Sequence, residues 1–66
     1  MEVVDVEAEK VNMNIARDEL LIINAVLNEV CNGIDIVEFE TRLGADKERV
    51  SEFLDEIDQL LDRMGE

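Results

Sequence analysis

Residues 47–64, KERVSEFLDEIDQLLDRM, decide the fold. Val50, Phe53, Leu54, Ile57, Leu60, Leu61 and Met64 recur at spacings of three and four, which gathers them on one face of a helix. Glu48, Glu52, Asp55, Asp58, Gln59 and Asp62 take the opposite face. Asp46, immediately before, is a good N-cap: its carboxylate can accept a hydrogen bond from a free amide of the first turn. A stripe this regular needs neighbouring elements to cover it.

Working back from Asp46, Gly44 ends a shorter helical pattern at 36–43 that would bury Ile36, Phe39 and Leu43. Asp35 and Glu38 stand before it as an Asp-x-x-Glu variant of the capping box. Further back, Asp18 suits an N-cap and Glu19 a first-turn acid that favours the helix dipole. Leu20, Ile23, Leu27, Val30 and Cys31 then share one face, and Leu21, Ile22 and Val26 widen it. Asn32 and Gly33 close that helix, with Gly33 expected in the left-handed C′ conformation. Leu27, Phe39, Phe53 and Ile57 lie at the centres of their stripes and are expected to pack together.

Residues 1–16, MEVVDVEAEKVNMNIA, follow a different period. Val4, Val6 and Ala8 alternate with Asp5, Glu7 and Glu9; Val11, Met13 and Ile15 alternate with Asn12 and Asn14. Alternation suits a half-buried strand, but a single strand has no partner in so small a chain. The segment reads either as a mobile tail or as a strand that pairs with a second molecule. The expected architecture is therefore all-α. It is one domain of 66 residues, with three helices near 19–32, 36–43 and 47–64 and an N-terminal arm at 1–16. Few residues are available to cover the broad first stripe, so a homodimer is expected.

Composition narrows the function. Eighteen acids against six bases and no histidine give a formal net charge of −12, while a 47% hydrophobic content is too high for a disordered acidic tail. The single cysteine, Cys31, has no disulfide partner within the chain and sits on an apolar face, as a small buried apolar residue would. No apolar run approaches the roughly 20 residues of a bilayer span. The N-terminus opens on acids rather than on the positive start of a signal peptide, so a cytoplasmic protein is expected. Without histidine, tyrosine or a glycine-rich phosphate loop, an enzyme is not expected, and no cofactor is implied. A calcium-loop frame over 28–39 places Val30 and Phe39 where oxygen ligands are required, and zinc lacks ligands, so no metal is implied either.

Phe39, Leu43, Gly44, Val50 and Leu54 give residues 36–57 a pattern that resembles the buried skeleton of a helix-turn-helix motif. That resemblance implies a second helix placed to enter a DNA groove. The outward residues are instead Glu48, Glu52, Asp55 and Glu56, with Lys47 and Arg49 only at the start. Phosphates would repel such a face, so direct nucleic-acid binding is not expected. Residues 43–46, LGAD, are similar to the stretch around the modified serine of acyl carrier proteins. Lys47 stands where that serine should be, however, and Ser51 lies four residues on, so no prosthetic attachment carries over.

The charge points to a non-catalytic acidic binding protein. Its expected partner is a basic surface, of the kind found on nucleases and other nucleic-acid-handling proteins, which it would inhibit or neutralise. Immunity proteins, antitoxins and phage-encoded inhibitors share this size and charge, and some such surfaces imitate the phosphate array. Glu48, Glu52, Asp55 and Asp62 line one ridge of the third helix, where their mutual repulsion opposes the helix unless a partner supplies positive charge. The alternative is a homo-oligomeric, subunit-type helical protein that uses the apolar stripe of the third helix.

Overall fold

The computed structural model describes residues 1–65 and orders them as a hairpin followed by three helices. Strands β1 (Glu2–Val6) and β2 (Val11–Asn14) pair antiparallel. The expectation of one unpaired strand is thus corrected: the alternating segment is two strands, and each is the other's partner. The link lacks the Asn-Gly or Asp-Gly pair that usually marks a two-residue hairpin turn. It closes instead through Glu7 N–H donating to the Lys10 carbonyl at 2.9 Å, with a weak Lys10–Glu7 ion pair at 3.6 Å.

Helix α1 (Arg17–Asn28) starts earlier than the Asp18 cap predicts. Ala16 is the N-cap, and the Glu19 carboxylate, three residues on, accepts the Ala16 N–H at 3.1 Å. That bond is one half of a capping box; alanine has no side-chain acceptor for the other half. The same carboxylate oxygen takes the Met1 ammonium at 2.6 Å, which ties the start of β1 to the start of α1. At its far end α1 widens into a π-helical turn, Glu29–Gly33, closed by Ile34 N–H on the Glu29 carbonyl at 2.9 Å. Gly33 is not left-handed as expected, because the wider turn carries the chain out without reversing φ. A side chain there would displace only the flexible Glu29 carboxyl.

Helix α2 is confined to Phe39–Leu43, shorter than the expected 36–43. Its N-cap is Glu38 at φ 55°, a left-handed position that costs a non-glycine residue about 1–2 kcal/mol. The Asp35–Glu38 box is therefore not formed, and Ile36 lies outside the helix. Gly44 ends α2 at φ 75°, where glycine has no Cβ to strain. Helix α3 (Lys47–Met64) matches its sequence reading at both ends, and Asp46 Oδ1 accepts the Arg49 N–H at 2.8 Å.

The core lies between α1, the π-turn and α3, where Leu20, Cys31, Leu54 and Ile57 are buried. Cys31 is a free thiol packed as a small apolar residue, as expected. The predicted central quartet is corrected in part. Ile57 is buried and Leu27 and Phe39 are half-buried, but Phe53 remains 41% exposed. Neighbouring Leu54 points inward in its place. The molecule is mostly helical with an added hairpin, and it is thin, with extents of 36 × 33 × 15 Å. Its radius of gyration is 13.4 Å, against about 11 Å for a compact chain of this length.

Candidate protein-binding surface

The acidic ridge is built by α3 itself. Leu54 and Ile57 turn inward against α1, which fixes the rotation of the helix and therefore the direction of every other residue on it. At 100° per residue, Glu48, Glu52, Asp55 and Asp62 fall within about 80° of one another on the far side from that pair. All four are exposed. The sequence-predicted ridge is thus a continuous surface feature along most of the helix.

No described residue forms an ion pair with the ridge acids. Among the described residues, ion pairs within 4 Å comprise Met1–Glu19 and Lys10–Glu7, and neither touches α3. Arg49 and Arg63 lie outside a run that carries Glu52, Asp55, Glu56, Asp58 and Asp62 with no base between, over about 15 Å of helix axis. Asp58 differs from the others: its Oδ1 accepts a hydrogen bond from Asn24 Nδ2, so it helps hold α1 against α3. Spacing alone puts this side chain on the face opposite the apolar stripe, and only the docking of α1 reveals its role.

The helix-turn-helix skeleton is realised unevenly. The three-residue turn from Gly44 to Asp46 is present and Leu54 is buried, while Phe39 and Val50 are half-buried and Leu43 is exposed. The first helix of the pair has only five residues. Its packing support is correspondingly slight, and α3 rests chiefly on α1.

Along the edge of the buried Leu54–Ile57 stripe, and away from the ridge, Phe53, Leu60 and Met64 fall within about 40° of one another and are all exposed. On the hairpin, Asp5, Glu7, Lys10, Val11 and Asn12 line a shallow depression at the turn end. Its side chains are exposed, and none is a buried polar group seeking a partner. No helix among the described residues is long and apolar enough to cross a membrane, and no three of their acids or Cys31 converge as a cation site would require. Compared with protein-family models, curated proteins and solved structures, the chain matches none of them.

Proposed function

We propose that this chain is a non-catalytic, cytoplasmic binding protein that docks its α3 ridge onto a basic surface of a nucleic-acid-handling protein and thereby neutralises it. One observation carries the reading: Glu48, Glu52, Asp55 and Asp62 are exposed, aligned and, among the described residues, without ion-pair partners. The four ridge acids span about 21 Å of helix axis, near 7 Å per charge, which is about every second phosphate of one DNA strand at roughly 3.4 Å each. A site built to hold phosphates would therefore meet negative charge at about every second phosphate position on a rigid rod. Opposite charge also accelerates encounter, which suits a protein that must reach its target before nucleic acid does.

The test is capture of partners from the native cell at low salt, followed by kinetics on the purified pair. Association should slow at least tenfold when Glu52 and Asp55 are both reversed to Lys, and should fall steeply as salt rises. Unchanged association of the doubly reversed protein would reject the ridge. The second reading, a subunit-type helical protein, is favoured by the strip of Phe53, Leu60 and Met64 left exposed beside the buried stripe of α3. In that case Leu60→Lys, rather than the charge reversal, would abolish the contact.

A further inference from the structure

The π-turn at the end of α1 brings together two groups that can react with each other. Asn32 is followed by Gly33, and both are exposed. An asparagine carboxamide is an electrophile within one residue of the next backbone nitrogen. Attack of that nitrogen on Cγ closes a five-membered ring, and a side chain on the attacking residue obstructs the approach. Asn12 precedes Met13, Asn14 precedes Ile15, Asn24 precedes Ala25 and Asn28 precedes Glu29. Asn32 alone precedes a residue without Cβ.

The surroundings add to the difference. Asn24 is engaged with Asp58 across the contact between α1 and α3, and Asn28 lies within α1. Asn32 Nδ2 donates only along its own helix, to Asn28 Oδ1 at 3.0 Å. At Gly33, an added Cβ would lie 2.6 Å from Glu29 Cδ and Oε2, so the glutamate carboxyl occupies the space a side chain would take. The restraint on the reaction is the turn itself. Helical backbone keeps the carboxamide off the line of attack, and a π-turn engages its amides with carbonyls five residues back. This turn is the last of its helix, however. Ile34 N–H on the Glu29 carbonyl closes it, and no helix or strand follows until Phe39. Of its residues only Cys31 is buried. Terminal turns with exposed backbone open at the low end of the range of local stabilities. Each opening frees the Gly33 amide and lets Asn32 rotate into line.

We propose that Asn32–Gly33 is a site of spontaneous succinimide formation, through which Asn32 becomes aspartate and isoaspartate. The Gly33 nitrogen loses its proton to hydroxide and bonds to Asn32 Cγ. The Cγ–Nδ2 bond breaks, and Nδ2 takes a proton from water and leaves as ammonia. Water then opens the imide. Cleavage between Cγ and the Gly33 nitrogen gives aspartate; cleavage at the Asn32 backbone carbonyl leaves the chain running through Cγ, as isoaspartate. Either product removes the donor to Asn28 and puts a new negative charge beside Glu29, at the helix end where the dipole opposes it. Isoaspartate also adds a methylene to the backbone of the turn that carries Cys31 into the core. Conversion therefore loosens the packing of the turn on α3. None of this draws on the acidic ridge.

Peptide mapping by mass spectrometry tests it, on the intact folded chain held at physiological temperature and mildly alkaline pH. Asn32 should become acidic first, roughly tenfold or more ahead of Asn12, Asn14, Asn24 and Asn28, because its successor alone lacks Cβ. Isoaspartate should appear at position 32 beside aspartate, which direct hydrolysis of the side chain would not produce. The folded chain should convert within about a hundredfold of the rate in urea, as opening of a terminal turn allows. Gly33→Ala should slow conversion roughly tenfold with helical circular dichroism retained, since the added methyl meets only the flexible Glu29 carboxyl. Conversion in urea but not in the folded chain overturns the proposal. So does a rate at Asn32 no higher than at the other asparagines, or aspartate formed without isoaspartate. Should Gly33→Ala unfold, the ranking of asparagines and the products at position 32 in the parent decide. Converted chain separated by anion exchange should melt below the parent, and equal melting refutes the effect on the core.

Discussion

The helical part and the hairpin are both rich in aliphatic residues, yet they use them in opposite ways. In α1 and α3 the apolar residues recur every three or four positions, and one edge of each stripe meets the other helix, which buries Leu20, Leu54 and Ile57 while Leu21, Ile22 and Val26 of α1 stay exposed. In the hairpin a bulge collects Val3, Val6, Val11 and Met13 on one face, and the valines stay exposed. Aliphatic content is similar; what differs is whether a complementary surface exists within the same chain. The helical half buries part of its apolar surface in a core of its own, whereas the hairpin valines meet no such core.

The strongest test of that contrast is truncation inside and outside the helical core. Leu54→Ala should destabilise the fold by about 2–5 kcal/mol, a large share of the stability of so small a domain. Phe53→Ala, one residue away but 41% exposed, should cost less than half as much. Equal melting of the two variants would mean that α3 is rotated from the orientation described. At the next level, Asp46→Ala removes the carboxylate that accepts the Arg49 N–H and should cost about 1 kcal/mol in thermal or urea unfolding. It should act on the helical half alone and leave the hairpin amide signals in place.

Smaller effects separate folding from binding. The double reversal Glu52→Lys and Asp55→Lys removes like-charge neighbours from the ridge and should leave stability unchanged or raise it by a few tenths of a kcal/mol. A loss of more than about 1 kcal/mol would show that these acids support the fold rather than a partner. The smallest expected effect lies at the junction of the two halves. The Met1 ammonium first, and the Ala16 N–H second, hold the Glu19 carboxyl below its ordinary pKa. Its contribution is therefore complete above the unfolded pKa and is lost as pH falls through the depressed folded value. Following the Ala16 amide by NMR should show the parent converging on Glu19→Gln as the solution is acidified. Parent and variant that differ equally at pH 7 and pH 2 would contradict this role.

Much of the fold was legible because helices announce themselves locally. The stripe from Val50 to Met64, the Asp46 cap and the Gly44 stop each depend on residues within a turn or two, and all three are as read. The acidic ridge was legible for the same reason, since residues four and seven apart share a face wherever the helix is docked. Features that depend on other segments were misread. The hairpin has no glycine or asparagine turn to mark it, and its register hinges on a bulge that pure alternation conceals. Ala16 replaced Asp18 as the cap because the Glu19 side chain reached back to it.

By itself, then, the sequence determined the third helix, its charged outer face and the presence of an apolar segment of period two, because short-range spacing sets each of these. Tertiary structure alone decided that Leu54 rather than Phe53 is buried, and that Asp58 bonds to Asn24 while Asp55, Glu56 and Asp62 have no such partner among the described residues. It also decided that the valines of β1 and β2 share one uncovered face. Spacing defines a stripe, but which edge of the stripe is buried depends on the angle at which a neighbour docks, and that angle is set by packing between segments far apart in the chain.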